Sequence, residues 1–209
     1  GQGTATLIVV VGSVSGNVSV IPSNACGTGT TGSVSVIVSS APAQPSAVTG
    51  SINPCIGSSQ TYSVTNVAGT TYTWALTAGW SQTAGGTTSS ITATVGALSG
   101  IITVTPSNSC GSGTPQTVTV TAQAAPAVDL GPDQTICDDE STTLDAGAGF
   151  ASYSWSTGAN TQSILVEGAV IGIGTHTISV TVTNAYTCSA SNDVVITVDD
   201  CSGIDTQEM

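Results

Sequence analysis

The sequence contains neither lysine nor arginine, has one histidine, and carries a formal net charge of -12. Each absence removes a class of function. Nucleic-acid binding depends on cations set against phosphate, and phosphate or nucleotide pockets recruit Lys or Arg for the same reason. A basic patch for anionic membrane surfaces cannot be built. No apolar run approaches the roughly 18 residues needed to cross a bilayer. Lysine–asparagine isopeptide cross-links cannot form, and trypsin-like proteases have no cleavage site. With no charged leader and apolar core at its start, the chain reads as a mature or processed form. The acids are also confined: all lie between Asp129 and Glu208, so residues 1–128 have no charged side chain and no histidine. A surface of Ser, Thr, Gly and Asn lets copies approach without the self-repulsion that keeps most domains apart.

What the sequence does contain is a repeat. Val11-Gly12, Ser15-Gly16, Val20, Pro22-Ser23-Asn24 and Cys26-Gly27 return as Val95-Gly96, Ser99-Gly100, Val104, Pro106-Ser107-Asn108 and Cys110-Gly111, at a constant offset of 84. Residues 7–42 and 91–126 share 16 identities without a gap. That period is too long for one coil of a solenoid and suits a small β-sandwich strung as a bead. The boundaries that follow are 1–42 for the second half of a module, 43–126 for a complete module, 127–200 for a module of a second type, and 201–209 for a tail.

Inside the complete modules, period-two runs rich in Thr, Val, Ile and Tyr, bounded by Gly, Pro, Asn and Ser, predict strands. In the second module these are 60–64, 71–76, 90–95, 100–104 and 116–120. In the third they are 142–145, 152–155, 162–166, 175–182 and 193–198. No window has a helical period. Tyr72 and Trp74, and likewise Tyr153 and Trp155, are two apart, share a sheet face, and are candidate core. The run 6–11 is apolar on both faces and reads as a strand with an adhesive edge, in a segment too small to be stable alone.

Six cysteines in a polar, Gly-rich β sequence point to an oxidising compartment. The lack of a C-x-x-C pair and the single histidine speak against zinc. Cys55 precedes the Tyr/Trp strand and Cys110 follows the fourth strand, and Cys137 and Cys188 hold matching places in the third module. This reading pairs Cys55 with Cys110 and Cys137 with Cys188, each closing a loop of about 50 residues worth about 4 kcal/mol on the loop-entropy model. Cys26 and Cys201 are left over. They bond a separate piece carrying the missing half-module, cross-link neighbouring subunits, or stay free.

The repeated run with Cys26 and Cys110, together with Tyr72-x-Trp74, resembles the PKD-like, immunoglobulin-like modules of large secreted proteins of Bacteroidota. The third module is similar to a sister type through Asp129 to Cys137 and Tyr153 to Gly158. Cys201 to Ile204 resembles the linker ahead of the sorting domain removed from type IX secretion substrates. The Asp-rich turn of typical PKD domains is not matched. The resemblance implies an all-β chain of tandem Ig-like/PKD-like sandwiches, the first only half present, with Trp74 and Trp155 packed near disulfides, and an extracellular or cell-surface location.

Candidate chemistry is sparse. His176 stands between threonines in a strand and reads as a surface residue, with no base poised beside a nucleophile. Asp138, Asp139 and Glu140 form a solvated turn or, with Asp129 and Asp133, an oxygen-rich site for Ca²⁺. No other cofactor is expected. Trp80, placed in a loop, is the best residue for stacking on a glycan. Two functions are carried forward. One is a non-enzymatic filament subunit or segment, whose partners are copies of itself or the missing half-module. The other is a stalk or adhesin module that binds carbohydrate or a surface protein. Self-association through the charge-free residues 1–128 should change little between about 0.01 M and 1 M salt, across which the screening length falls from about 30 Å to about 3 Å. Sedimentation velocity over that range checks this.

Overall fold

The computed structural model describes residues 6–201. The tail assigned above to 201–209 lies outside the described residues except for Cys201. The fold is nearly all β. Residues 16–36 hold β1 (Gly16–Val20), β2 (Ser23–Asn24), β3 (Gly27–Thr28) and β4 (Gly32–Val36). β1 pairs antiparallel with β4, and β2 with β3.

The second module contains β5 (Ser59–Ser63), β6 (Thr71–Ala75), β7 (Ser81–Ala84), β8 (Ser90–Thr94), β9 (Gly100–Asn108), β10 (Gly111–Ser112) and β11 (Gln116–Val120). One sheet runs β5-β8-β7; in the other, β9 is central and pairs with β6, β10 and β11. The alternation seen in the sequence is the cause. Tyr72 and Trp74 of β6, Ile91 and Ala93 of β8, and Ile102 and Val104 of β9 are buried, while the residues between them face outward. Together with Tyr62, Val95 and Val120 they fill the space between the sheets.

The third module is built the same way. It contains β12 (Gln134–Cys137), β13 (Ser141–Asp145), β14 (Ser152–Trp155), β15 (Ser163–Glu167), a single helical turn α1 (Gly168–Ile171), β16 (Gly174–Thr183) and β17 (Ser189–Asp199). β12-β17-β16-β14 form one sheet and β13-β15 face it. Leu144, Trp155, Val180, Val182, Val194 and Ile196 are central to a second, separate core.

The repeat is carried into three dimensions. Gly16 pairs with Val36, and Val18 with Val34, as Gly100 pairs with Val120 and Ile102 with Val118. The Gly29 amide donates to the Pro22 carbonyl at 2.8 Å, as Gly113 does to Pro106 at 2.9 Å. Gly27 and Gly111 turn the two hairpins at φ +138° and +133°, a region that penalises a Cβ. The first unit therefore holds the counterparts of β9 to β11 and, of the facing sheet, only the run that matches β8.

Two expectations are corrected by this. The run 6–11 is in no strand. Its counterpart β8 is held between β5 and β7, and the first unit supplies neither, so the apolar run finds no ladder. The strands β7 and β12 are not among the expected runs: β7 is polar, exposed and at a sheet edge, and β12 pairs parallel with β17 from a distant part of the chain. In the isolated chain, Ile91→Ala should cost about 2–5 kcal/mol by opening a core cavity. Leu7→Ala, at the matching repeat position, should stay within about 0.5 kcal/mol. Urea unfolding of the two variants makes the comparison.

Candidate functional site: the stapled junction and the open half-sandwich

The disulfides do not follow the pairing expected from the sequence. Cys55 bonds Cys188, and Cys137 bonds Cys201, with Cα–Cα separations of 5.6 and 5.3 Å; Cys26 and Cys110 are free and exposed. Cys110 is therefore not the partner of Cys55, Cys188 is not the partner of Cys137, and Cys201 is bonded within the chain. The reason is local. Cys55 stands where residues 52–56 run alongside the exit segment of the second module: Thr121 N–H donates to Ile52 O at 2.8 Å, Gln123 N–H to Pro54 O at 2.9 Å, and Ile56 N–H to Gln123 O at 2.9 Å. The Cys55 sulfur thus sits at the rim facing the third module. Cys137 ends β12 opposite Asp199, which brings it next to Cys201. Both bridges are at module ends, and none of their four cysteines belongs to the cores that hold Trp74 and Trp155.

An asparagine holds each hairpin cysteine. Asn184 accepts the Tyr186 and Cys188 amides on Oδ1 at 2.9 and 3.0 Å and donates from Nδ2 to Ala124 O at 3.1 Å. Thr187, at φ +66°, makes the turn between them, and Cys188 is buried. In the second module Asn108 accepts the Cys110 amide at 2.8 Å and donates to Ser40 O at 2.8 Å. Ser40 and Ala124 are 84 apart, as the repeat requires. In each junction, then, the hairpin of the following module is fastened to the same point of the preceding linker. In the first hairpin Asn24 holds the Cys26 amide at 2.8 Å.

The other notable surface is the open face of the first unit. Leu7, Val9, Val11 and Val20 are 56, 56, 62 and 67% exposed, whereas their repeat counterparts Ile91, Ala93, Val95 and Val104 are 1, 0, 2 and 0% exposed. Val9, Val11, Val14, Val18, Val36 and Val38 line a shallow groove of about 170 Å³ on this face.

The remaining expected site residues are placed as follows. Tyr72, Trp74 and Trp155 are buried core, and Tyr153 is half-buried against the third core. Trp74 and Trp155 donate from Nε1 to Thr88 O and Thr161 O at 3.0 and 2.8 Å. Trp80 is not a glycan platform. It is buried, its ring lies 6.2 Å from that of Tyr62, and Nε1 donates to Leu98 O at 2.9 Å. Burial raises the pKa of Tyr62, whose hydroxyl donates to Ser51 O at 2.8 Å. His176 Nε2 stands 2.8 Å from Gly172 O, which ties it to the end of α1.

The acidic cluster is spread out. Asp129 accepts the Gly131 amide, Asp133 the Val195 amide and Glu140 the Cys137 amide, at 2.9, 2.9 and 3.0 Å, while Asp138 and Asp139 flank that turn. Among the described residues no three His, Cys, Asp or Glu side chains stand where they could hold a metal ion. Asp145 has its pKa lowered by hydrogen bonds from Gln162 and the Gly147 amide.

Residues 1–36 and 41–120 match the PKD-like domain family, which is more than half of the sequence. The chain belongs to the PKD-like domain family. No curated protein sequence matches it. Among solved structures, the PKD-like chain is similar to the two immunoglobulin domains of DIP-gamma, at 14% identity and TM-score 0.33, covering 73% of this chain and 98% of that one. It is similar to a C-terminal fragment of intimin in complex with the intimin-binding domain of its translocated receptor, at 15% identity and TM-score 0.41, covering 74% and 64%. It is also similar to the insect immune protein hemolin, at 14% identity and TM-score 0.37, covering 74% and 46%. These likenesses concern the Ig-like fold alone. No helix among the described residues is long and apolar enough to cross a membrane.

Cys201→Ser should lower the stability of the third module by about 2–4 kcal/mol. Cys55→Ser should leave both cores intact, because each has its own apolar layer, and should instead speed hydrogen exchange at the Ile56 and Gln123 amides. Urea unfolding followed by tryptophan fluorescence, and exchange with mass spectrometry, read the two effects separately.

Proposed function

We propose that this PKD-like chain is a non-enzymatic extracellular structural protein, a subunit or segment of a cell-surface filament, with the open apolar face of the first unit as its contact surface. One observation carries the reading: positions buried to within 2% in the second module are more than half exposed at the same repeat positions of the first. A contiguous apolar face of this kind is a contact surface or an aggregation hazard. The charge-free surface of residues 1–128 sets no electrostatic barrier to contact. Strand addition and burial of the valine face are the physical means of completion. The disulfides support an oxidising, extracellular setting. Export by the type IX route of Bacteroidota belongs to the same reading and rests on the likeness of residues 201–204 to the linker before a sorting domain.

The carbohydrate-binding alternative has little left to stand on, since its best residue, Trp80, is inside the core. Sedimentation equilibrium of the oxidised full chain over a concentration series is the test. Association that is weakened by Val9→Asp is expected. A monodisperse monomer at the highest attainable concentration overturns the filament reading.

A further inference from the structure

The bridge between Cys55 and Cys188 shows how one PKD-like module is fastened to the next: the hairpin cysteine of the following module reaches back to the early cysteine of the preceding one. The same arrangement is half built one module earlier. Asn108 grips Ser40 as Asn184 grips Ala124, and each asparagine also holds the amide of its hairpin cysteine. The exit segment is placed alike, with Val38 N–H donating to Ser15 Oγ at 2.9 Å and Ala122 N–H to Ser99 Oγ at 3.0 Å. In the second module the flanking amides of Thr121 and Gln123 bond the segment that bears Cys55. Their counterparts Ile37 and Ser39 have no backbone partner among the described residues. Cys110 is exposed and free in the hairpin that Asn108 fastens to Ser40, next in sequence to that vacant edge.

We infer that Cys110, rather than Cys26, is the covalent attachment point for the half-module that completes the first unit. The partner has a definite chemistry: the first half of a PKD-like module, with a cysteine at the place of Cys55 ahead of apolar Tyr and Trp strands. Its strands cover the face of Leu7, Val9, Val11 and Val20, and its early segment lies along Ile37 to Ser39. A second copy of this chain is a poor donor, because its own first half is committed to a closed core. Cys26 lies within the first unit, and by the same relay it faces away, toward whatever module precedes. The inference rests on the proposed function and adds where the bond forms. The step is an oxidation. Two thiols lose two protons and pass two electrons to a disulfide oxidant, which becomes a dithiol; the observed bridges require the same class of reagent.

The test uses the oxidised full chain and, as probe, a polypeptide with the sequence of residues 43–89, incubated in a glutathione redox buffer and mapped by mass spectrometry without reduction. Docking raises the effective concentration of the probe cysteine, so the mixed disulfide should form at Cys110 about ten-fold faster than at Cys26, by the same effect. Cys110→Ser should abolish the adduct, and Cys26→Ser should leave it unchanged. A second form, in which residues 43–89 are fused ahead of residue 6 of the full chain, removes any dependence on the probe's own solubility. Equal labelling of both cysteines, bonding to Cys26, or a fused chain with Cys110 still reactive to maleimide each overturn the inference. The two readings fail separately. A fused chain bridged at Cys110 that shows no association in any form leaves the inference standing and removes the filament. Association with Cys110 free does the reverse.

Discussion

The apolar layer between two facing sheets is the interaction on which everything else in this chain depends. Neither half of a PKD-like sandwich can shield its own valines. β6, β9 and β11 present Tyr72, Trp74, Ile102, Val104 and Val120, and only the facing sheet, with Tyr62 of β5 and Ile91 of β8, closes over them. Where both halves are present, these side chains are dry. Where one is present, as in residues 6–38, the hairpins keep their register and their hydrogen bonds, yet the valines stay in water. Local backbone geometry is thus supplied by the half-sequence itself, and the core is supplied only by its complement.

The same asymmetry explains what could be read from the sequence. Strands whose residues alternate, such as Thr71 to Ala75 and Ser152 to Trp155, announce themselves because one face must be apolar. The offset of 84 carries through to the register, Val18 opposing Val34 as Ile102 opposes Val118, since the register is a local property of one hairpin. The site was less legible. Cysteine pairing depends on which module end faces which neighbour, and that is decided by the path of residues 121–125 and by the asparagine grip on Ala124, neither of which leaves a periodic trace. Trp80 follows Gly79 and looked like a loop residue. The polar strand β7 has no apolar pattern to show that Trp80 begins a turn back into the core. The acids near Asp129 were close in sequence, but Asp129, Asp133 and Glu140 each accept a different backbone amide and do not converge.

Charge plays almost no part in holding this molecule together. With no cationic residue other than His176 there are no Lys or Arg ion pairs to form, and the work that such pairs do elsewhere falls to amide side chains and hydroxyls. Asn108 and Asn184 fasten modules to linkers, and Thr49 with Ser63, Thr71 with Ser107 and Thr181 with Ser191 join neighbouring strands on their exposed faces at 2.8, 2.9 and 2.8 Å. Neutral contacts of this kind are weak singly, about 1 kcal/mol each, but they are indifferent to ionic strength.

The two bridges also define a route for mechanical load. A pull between the second module and the residues after Cys201 enters the third module at Cys188 and leaves it at Cys201, only 13 residues later. That segment is β17, already extended, and fully stretched it can span at most about 3.6 Å per residue. A second route follows the linker and β12 to Cys137 and crosses to Cys201, so β13 to β16 and the core they enclose lie off both covalent paths. Tension would divide between one strand, fed by the first bridge, and the linker, which feeds the second, while the rest of the sandwich hung unloaded from them, as a bead hangs on a cord rather than forming part of it.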